Sequence, residues 1–288
     1  MKNVLITGAT GNVGMETIKY LLQLDPPLEI YAGIRDVEKD KEKLEDYKIK
    51  HSYFDFTDLA SYRPALDHCD LLFLLRPPQI SEVKKYFKPL IAQAVRSGIK
   101  HIVFLSVQGV EHSSIIPHHK IEKLIVASKI PYTFLRPAYF MQNFTTTLRH
   151  DLTANKRIFL PAGNAKFTLI DVTNIGEVAA KILTETEKHL NQSYELTCNE
   201  KLTFLEMAEK LSQGLHTNIQ YESPNLLQFY LAKRKEKIPS MLILVMIMLH
   251  YLPRFQKEPK TTDWVECLLK KQPTTFDEFI IENQKNLC

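Results

Sequence analysis

Asn3-Val4-Leu5-Ile6-Thr7-Gly8-Ala9-Thr10-Gly11-Asn12-Val13-Gly14 is the stretch on which the fold turns. A short apolar run rich in β-branched residues enters three glycines spaced G-x-x-G-x-x-G, and Met15 to Gln23 then carries apolar side chains at helical spacing. The order is strand, tight turn, helix. Glycines at this spacing give a turn with unusual φ, a backbone without Cβ that can approach a pyrophosphate, and close packing of helix on strand. The helix N-terminus then presents unpaired N–H groups and the positive end of its dipole to an anion. The expectation is a dinucleotide whose pyrophosphate is held by Gly8, Gly11 and Gly14 and covered by Thr10 and Asn12, with Val13 among the cofactor-binding residues.

Outward from this stretch, the composition limits the alternatives. A chain of 288 residues with 44% apolar content can bury a large core, enough for one large domain or one domain plus a lobe. The formal charge is +4, and Lys and Arg are scattered; the run Lys233-Arg234-Lys235 reads as a solvated helix face, so no nucleic-acid partner is expected. Cys69, Cys198, Cys267 and Cys288 lie far apart without metal-ligand spacing, which points to a reduced, cytoplasmic protein with no bound metal. The N-terminus opens on a core strand rather than on a leader pattern. Met241 to Leu249 is almost wholly apolar, but Pro239 and Pro253 bracket it well below the ~20 residues of a bilayer span. A buried or pocket-covering helix is expected there, and no membrane span.

Leu28 to Ile34 reads as the second strand, ending at Arg35-Asp36. An acidic side chain at this strand end accepts from the ribose of NAD, whereas an Arg accommodates the 2′-phosphate of NADP. Arg35 therefore favours NADP over NAD, and Asp36 suits an N-cap for the charged helix that follows. Lys50 to Phe54 is the third strand; Asp55 and Phe56 after it are candidates for the adenine pocket. Leu71 to Leu75 is a continuous apolar run suited to a strand buried on both faces, and Leu75-Arg76 at its end falls on the ligand side of a parallel sheet. His101 to Leu105 and Tyr132 to Leu135 continue the sheet, with Ser106 after the first of these. The overall expectation is a Rossmann-type doubly wound α/β fold, with an NAD(P)-binding domain over residues 1–150 and, over residues 151–288, a returning strand and helix at Leu169 to Val172 and Ile175 to Leu183 plus a smaller substrate lobe. Thr203-Phe204-Leu205-Glu206 and Thr275-Phe276-Asp277-Glu278 are capping boxes that open helices in that lobe.

The glycine spacing, His118-His119-Lys120-Ile121-Glu122, and Ser128-Lys129-Ile130-Pro131-Tyr132-Thr133-Phe134-Leu135-Arg136-Pro137 running on to Phe144 together resemble the NmrA-like branch of atypical short-chain dehydrogenases/reductases. The resemblance covers most of residues 1–200 and, more loosely, the Thr275 to Phe279 ending. Ordinary members of the superfamily hold a substrate carbonyl with a Ser or Thr at the position of Ser106, beside a Tyr-x-x-x-Lys proton donor. Here no tyrosine lies between Ser106 and Tyr132, so that donor is absent. By the resemblance, His118 stands near the place of the catalytic lysine, to touch the nicotinamide ribose or relay a proton; Glu122, four residues on, is either a residue of the site or an exposed partner on the helix face. Pro137 to Asn143 falls where substrate would meet the nicotinamide ring, with Tyr139, Phe140 and Asn143 as pocket candidates. The branch includes NAD(P)H-dependent quinone and azo-dye reductases and NADP-binding redox sensors. The resemblance thus implies an NADPH-dependent oxidoreductase acting on a quinone or similar conjugated acceptor, with a catalytically silent NADP(H) sensor as the rival and a nucleotide-sugar epimerase third. A second copy of the chain or a regulatory protein is the macromolecular partner expected.

Overall fold

A computed structural model describes residues 2–288 of the chain. It divides into two units: residues 1–137 with 172–196, and residues 138–171 with 197–288.

The first unit is built on seven parallel strands: β1 (Lys2–Ile6), β2 (Leu28–Ile34), β3 (Lys50–Tyr53), β4 (Leu71–Leu75), β5 (His101–Leu105), β6 (Tyr132–Pro137) and β10 (Gln192–Leu196). Their order is β10-β6-β5-β4-β1-β2-β3, so the chain steps outward one way from β1 through β2 and β3, then returns to β4 on its other side. That reversal creates the switch point at which open parallel sheets bind ligands, beyond the strands' C-terminal ends. The helices between strands are α1 (Asn12–Leu24), α2 (Val37–Glu42), α3 (Tyr62–Leu66), α4 (Lys88–Arg96), α5 (Pro117–Ser128) and α7 (Val172–Thr184). All five residues of β4 are buried, because helices cover both faces of the sheet. Asp36 caps α2 through a hydrogen bond from the Lys39 amide to Oδ1 (3.2 Å), and Asp58 caps the short 3-10 turn at Leu59–Ser61.

The second unit holds β7 (Tyr139–Phe140), β8 (Arg157–Phe159), β9 (Lys166–Ile170), β11 (Lys201–Thr203) and β12 (Gln220–Glu222), paired as β11-β9-β7 and β12-β8. Its helices are α6 (Arg149–Asn155), α8 (Phe204–Leu215), α9 (Leu226–Lys235), α10 (Ser240–Tyr251), α11 (Trp264–Leu269), α12 (Phe276–Glu282) and α13 (Gln284–Leu287). Both expected capping boxes form, at Thr203 with Glu206 and at Thr275 with Glu278, and Asn225 with Gln228 makes a third at α9.

Three expectations need correction. The strand around Leu169 pairs with β7 and β11 rather than with the large sheet; the strand that rejoins that sheet is β10, parallel to β6. Lys233 is not on a solvated face. It is 2% exposed and its ammonium is held by Asp151, itself 2% exposed, and by Glu236, because a helix that docks by one side buries whatever that side carries. Finally, α10 is not enclosed: Ile243, Met246 and His250 face inward, while Met241, Leu242, Leu244, Met248 and Leu249 face outward. Among the described residues no helix is long and apolar enough to cross a membrane.

Candidate active site

The turn after β1 is closed by a hydrogen bond from the Gly11 amide to the Gly8 carbonyl (3.0 Å), which demands φ of +60° at Gly8. Gly14, in the first turn of α1, lies so close beneath this turn that a Cβ would sit 2.4 Å from the Gly8 oxygen and 2.8 Å from Ala9 Cα. Gly11 is the N-cap, in extended conformation, and offers no side chain to the first amides of α1. Those donors therefore point outward at the positive end of the dipole, an arrangement that fits a pyrophosphate. Thr7, buried at the end of β1, ties this turn to β4: its hydroxyl accepts from the Leu75 amide (2.8 Å), and its amide donates to the Phe73 carbonyl (3.0 Å). Sequence reading placed Thr7 in the motif without assigning this clamp, which needs a partner 68 residues away.

At the end of β2, Arg35 is exposed, and no carboxylate pairs with its guanidinium among the described residues. Asp40, on α2, was missed. Its carboxylate accepts from the Arg35 and Asp36 amides (3.3 and 3.2 Å) and from the Thr10 hydroxyl (3.5 Å), so Thr10 is tied to α2 rather than left over the phosphate turn. Beyond β3, Asp55 folds its carboxylate onto the Thr57 amide (2.7 Å) and hydroxyl (2.8 Å). The Phe56 ring lies in the core, edge-on to Phe54 at 4.9 Å and 5.3 Å from Phe87, so it offers a ligand at this edge its backbone rather than its ring.

At the end of β4, Arg76 donates through Nη1 to the carbonyls of Pro77, Pro78 and Ile80 (3.0, 3.0 and 2.8 Å), fixing the loop, and through Nε to His118 Nε2 (3.3 Å). Arg76 and His118, separated by 42 residues in sequence, are thus brought together. Burial pushes the guanidinium down to about 10 and His118 down to about 3, the Arg76 charge adding to the second shift. His118 is therefore neutral and accepts at Nε2, so it holds no proton there to relay. Ser106 follows β5, 2% exposed, and its Oγ has no hydrogen-bond partner among the described residues. Glu122 turns instead to Arg136, in a two-pronged pair (3.1 and 2.8 Å) that lines a separate cleft of about 380 Å³ with His119, Tyr132 and Phe134.

In the second unit Tyr139 is ringed by aromatic groups: Phe167, Phe204 and His250 lie 5.7, 5.7 and 5.6 Å away, and Phe144 6.5 Å. His250 Nδ1 faces the Met246 carbonyl at 2.6 Å, and a carbonyl can only accept, so that nitrogen carries the proton. Burial holds the ring neutral, with its pKa near 4, so Nε2 is bare and the Tyr139 hydroxyl donates to it across 3.2 Å. Burial also raises the Tyr139 pKa, and the Asn143 side chain, hydrogen-bonded to the same hydroxyl, offsets part of that rise. His250 was not read from the sequence, although its place at the end of an apolar run was a signal: a lone imidazole on a helix's inner face needs a partner.

A parallel α/β sheet with a glycine phosphate turn at its switch point defines a Rossmann-type dinucleotide-binding protein. More particularly, the chain belongs to the NmrA-like family, whose profile matches residues 1–280. It is 28% identical over 287 residues to prestalk A differentiation protein A of Dictyostelium discoideum, covering 99% of this chain and 93% of that one. It is 25% identical over 240 residues to quinone oxidoreductase 2 of Escherichia coli (strain K12), 82% of each chain. A solved structure of Citrobacter sp. triphenylmethane reductase complexed with NADP(H) superposes with a TM-score of 0.86 at 25% identity, over 98% of this chain and 99% of that one. The family resemblance carried by the motifs is thereby borne out.

Proposed function

We propose that this protein is an NADPH-dependent reductase of a quinone or a similar conjugated acceptor. The observation that carries the reading is the phosphate cradle of Gly8, Gly11 and Gly14 on an uncapped α1, with the Arg35 guanidinium at the end of the neighbouring strand paired with no carboxylate among the described residues. When bound, the cofactor supplies a hydride. The chain's own part is to grip and orient. The amides of Asn12, Val13 and Gly14 hold pyrophosphate, Arg35 reads the 2′-phosphate, the Leu75–Arg76 backbone and the Asp55–Phe56 edge flank the nucleotide, and Ser106 gives its free hydroxyl.

The class of acceptor follows from the protons. His118 is neutral and accepting, and Tyr139 is a weakened acid whose hydroxyl keeps its proton and is already engaged as donor to His250 Nε2. An alkoxide product needs a strong acid beside it; a reduced quinone spreads its charge and takes a proton from water. The flat rings around Tyr139 suit a flat acceptor, and the Asn143 amide can hydrogen-bond its carbonyl. The relatives named for quinones and triphenylmethane dyes act on conjugated acceptors of this kind. The test is NADPH consumption by the purified chain with a panel of quinones, in wild type and Asn143→Ala. Acceptor-dependent turnover that falls at least tenfold in the variant supports the reading; tight NADPH binding with no turnover on any acceptor leaves the NADP(H) sensor in its place.

A further inference from the structure

Helix α10 is unusual in what it shows to water. Its inner face carries Ile243, Met246 and His250, spaced i, i+3, i+7. Every one of its exposed side chains is apolar: Met241, Leu242, Leu244, Met248 and Leu249 are each at least 40% exposed. The apolar surface runs on through Leu252 and Phe255 in the following turn, the latter 70% exposed. On the preceding helix, α9, Leu227 and Leu231 are also exposed, i and i+4 on the face that ends in Arg234. Exposed apolar patches on monomeric soluble proteins rarely exceed a few hundred Å², and larger ones mark a surface that something covers.

The surrounding charge says what. Arg234, Lys235 and Lys237 stand exposed just before α10, and Arg254 and Lys257 just after it. Two acids in the same stretch are already engaged: Glu236 with the buried Lys233, and Glu258 with Lys201 at 2.7 Å. The patch is thus an apolar stripe with a positive collar at both ends. A second copy docking through it about a two-fold axis would bring the collar against itself. A surface that is apolar within and negative at its rim matches both features, and anionic phospholipid headgroups over acyl chains are such a surface. With twelve residues α10 is about 18 Å long, too short to cross the ~30 Å hydrocarbon layer but suited to lie in its boundary.

We propose that the outer faces of α9 and α10 dock the protein reversibly onto an anionic phospholipid bilayer, the leucine and methionine side chains entering the acyl boundary and the basic collar resting on the headgroups. The proposal stands apart from the reductase reading, since its readout is partition and not turnover. Membrane-soluble quinones are one class of acceptor that such docking would bring within reach.

The experiment is co-sedimentation of the full chain with mixed phosphatidylcholine–phosphatidylserine vesicles and with phosphatidylcholine vesicles alone. Wild type is expected to pellet with the mixed vesicles, and less so as salt is raised. Leu244→Glu with Met248→Glu should weaken partition about tenfold or more, since two apolar contacts become charges in the acyl boundary. Lys235→Glu with Lys257→Glu should lower binding to the mixed vesicles while leaving the residual binding to phosphatidylcholine unchanged. Both variants alter exposed positions, and unchanged NADPH affinity and melting temperature would show that they fold. Wild type remaining in the supernatant with both vesicle types overturns the proposal, as does pelleting indifferent to the glutamates. A wild-type dimer that the Leu244→Glu, Met248→Glu pair splits, without vesicle binding, would also overturn it and give the face to a second copy.

Discussion

Replacing Gly14 by alanine should disable the phosphate turn while leaving the fold in place. The added methyl would lie 2.4 Å from the Gly8 oxygen, 2.8 Å from Ala9 Cα and 2.9 Å from the Ala9 oxygen, all of them backbone atoms with no rotamer to move aside. To reach an ordinary contact the turn has to rise by nearly 1 Å. Overpacking of this kind costs about 1–3 kcal/mol, and the better helix propensity of alanine returns up to about 1 kcal/mol, so stability should fall by about 1–2 kcal/mol. Cofactor affinity should suffer more. A displacement of that size misaligns at least two amide–phosphate hydrogen bonds, each worth about 1.5 kcal/mol or more when the acceptor is charged, and about 3 kcal/mol is roughly a hundredfold in Kd. Gly11→Ala gives an internal scale, because its Cβ would meet only the Gly8 oxygen, at 3.2 Å. Titration of NADPH by fluorescence, beside thermal unfolding, reads both quantities. If Gly14→Ala bound NADPH within twofold of wild type, the turn would not be the phosphate site.

Arg35→Ala should weaken NADPH at least tenfold and leave NADH nearly unchanged, and Asp40→Asn, by removing a carboxylate beside the same strand end, should tighten NADPH; competitive titration with the two cofactors checks both. Lys233→Met should cost about 3 kcal/mol, because among the described residues Asp151 keeps only Arg157 and Asn155 in a buried site, and Lys233→Met with Asp151→Leu should cost less than the two single changes summed, as read by urea unfolding. His101 and His250 are held near 4 by burial, below their unfolded value of about 6.5. The unfolded chain therefore binds protons that the folded chain refuses, so stability is complete above about pH 6.5 and is lost as pH falls toward 4. These two residues together remove about 4 kcal/mol between pH 7 and pH 5, and a flat stability profile across that window would contradict their burial as neutral rings.

What the sequence disclosed was what local chemistry controls. The strand, turn and helix from Asn3 to Gln23 and the capping boxes at Thr203 and Thr275 are set by neighbours within a few residues, and each forms where its signal lies. The Asn225–Gln228 box uses the same geometry with amides in place of hydroxyl and carboxylate, and went unread. Helix α10 has apolar residues on all sides, so no periodicity could choose which face would be buried. The remaining surprises are long-range. Lys233 meets Asp151 across 82 residues, Tyr139 meets His250 across 111, and β9 takes partners in a second sheet. Each is a pairing between side chains or strands whose separate surroundings in the sequence give no hint of the other.

Direct hydride transfer from NADPH to a conjugated acceptor is read most closely by a single-turnover reaction with NADPH carrying deuterium at the transferring position. Acceptor-dependent oxidation with a primary isotope effect on the fast phase is expected, with slower transfer in Asn143→Ala. Bound NADPH that stays reduced in the presence of every quinone offered, or is oxidised at a rate independent of the acceptor, would contradict it.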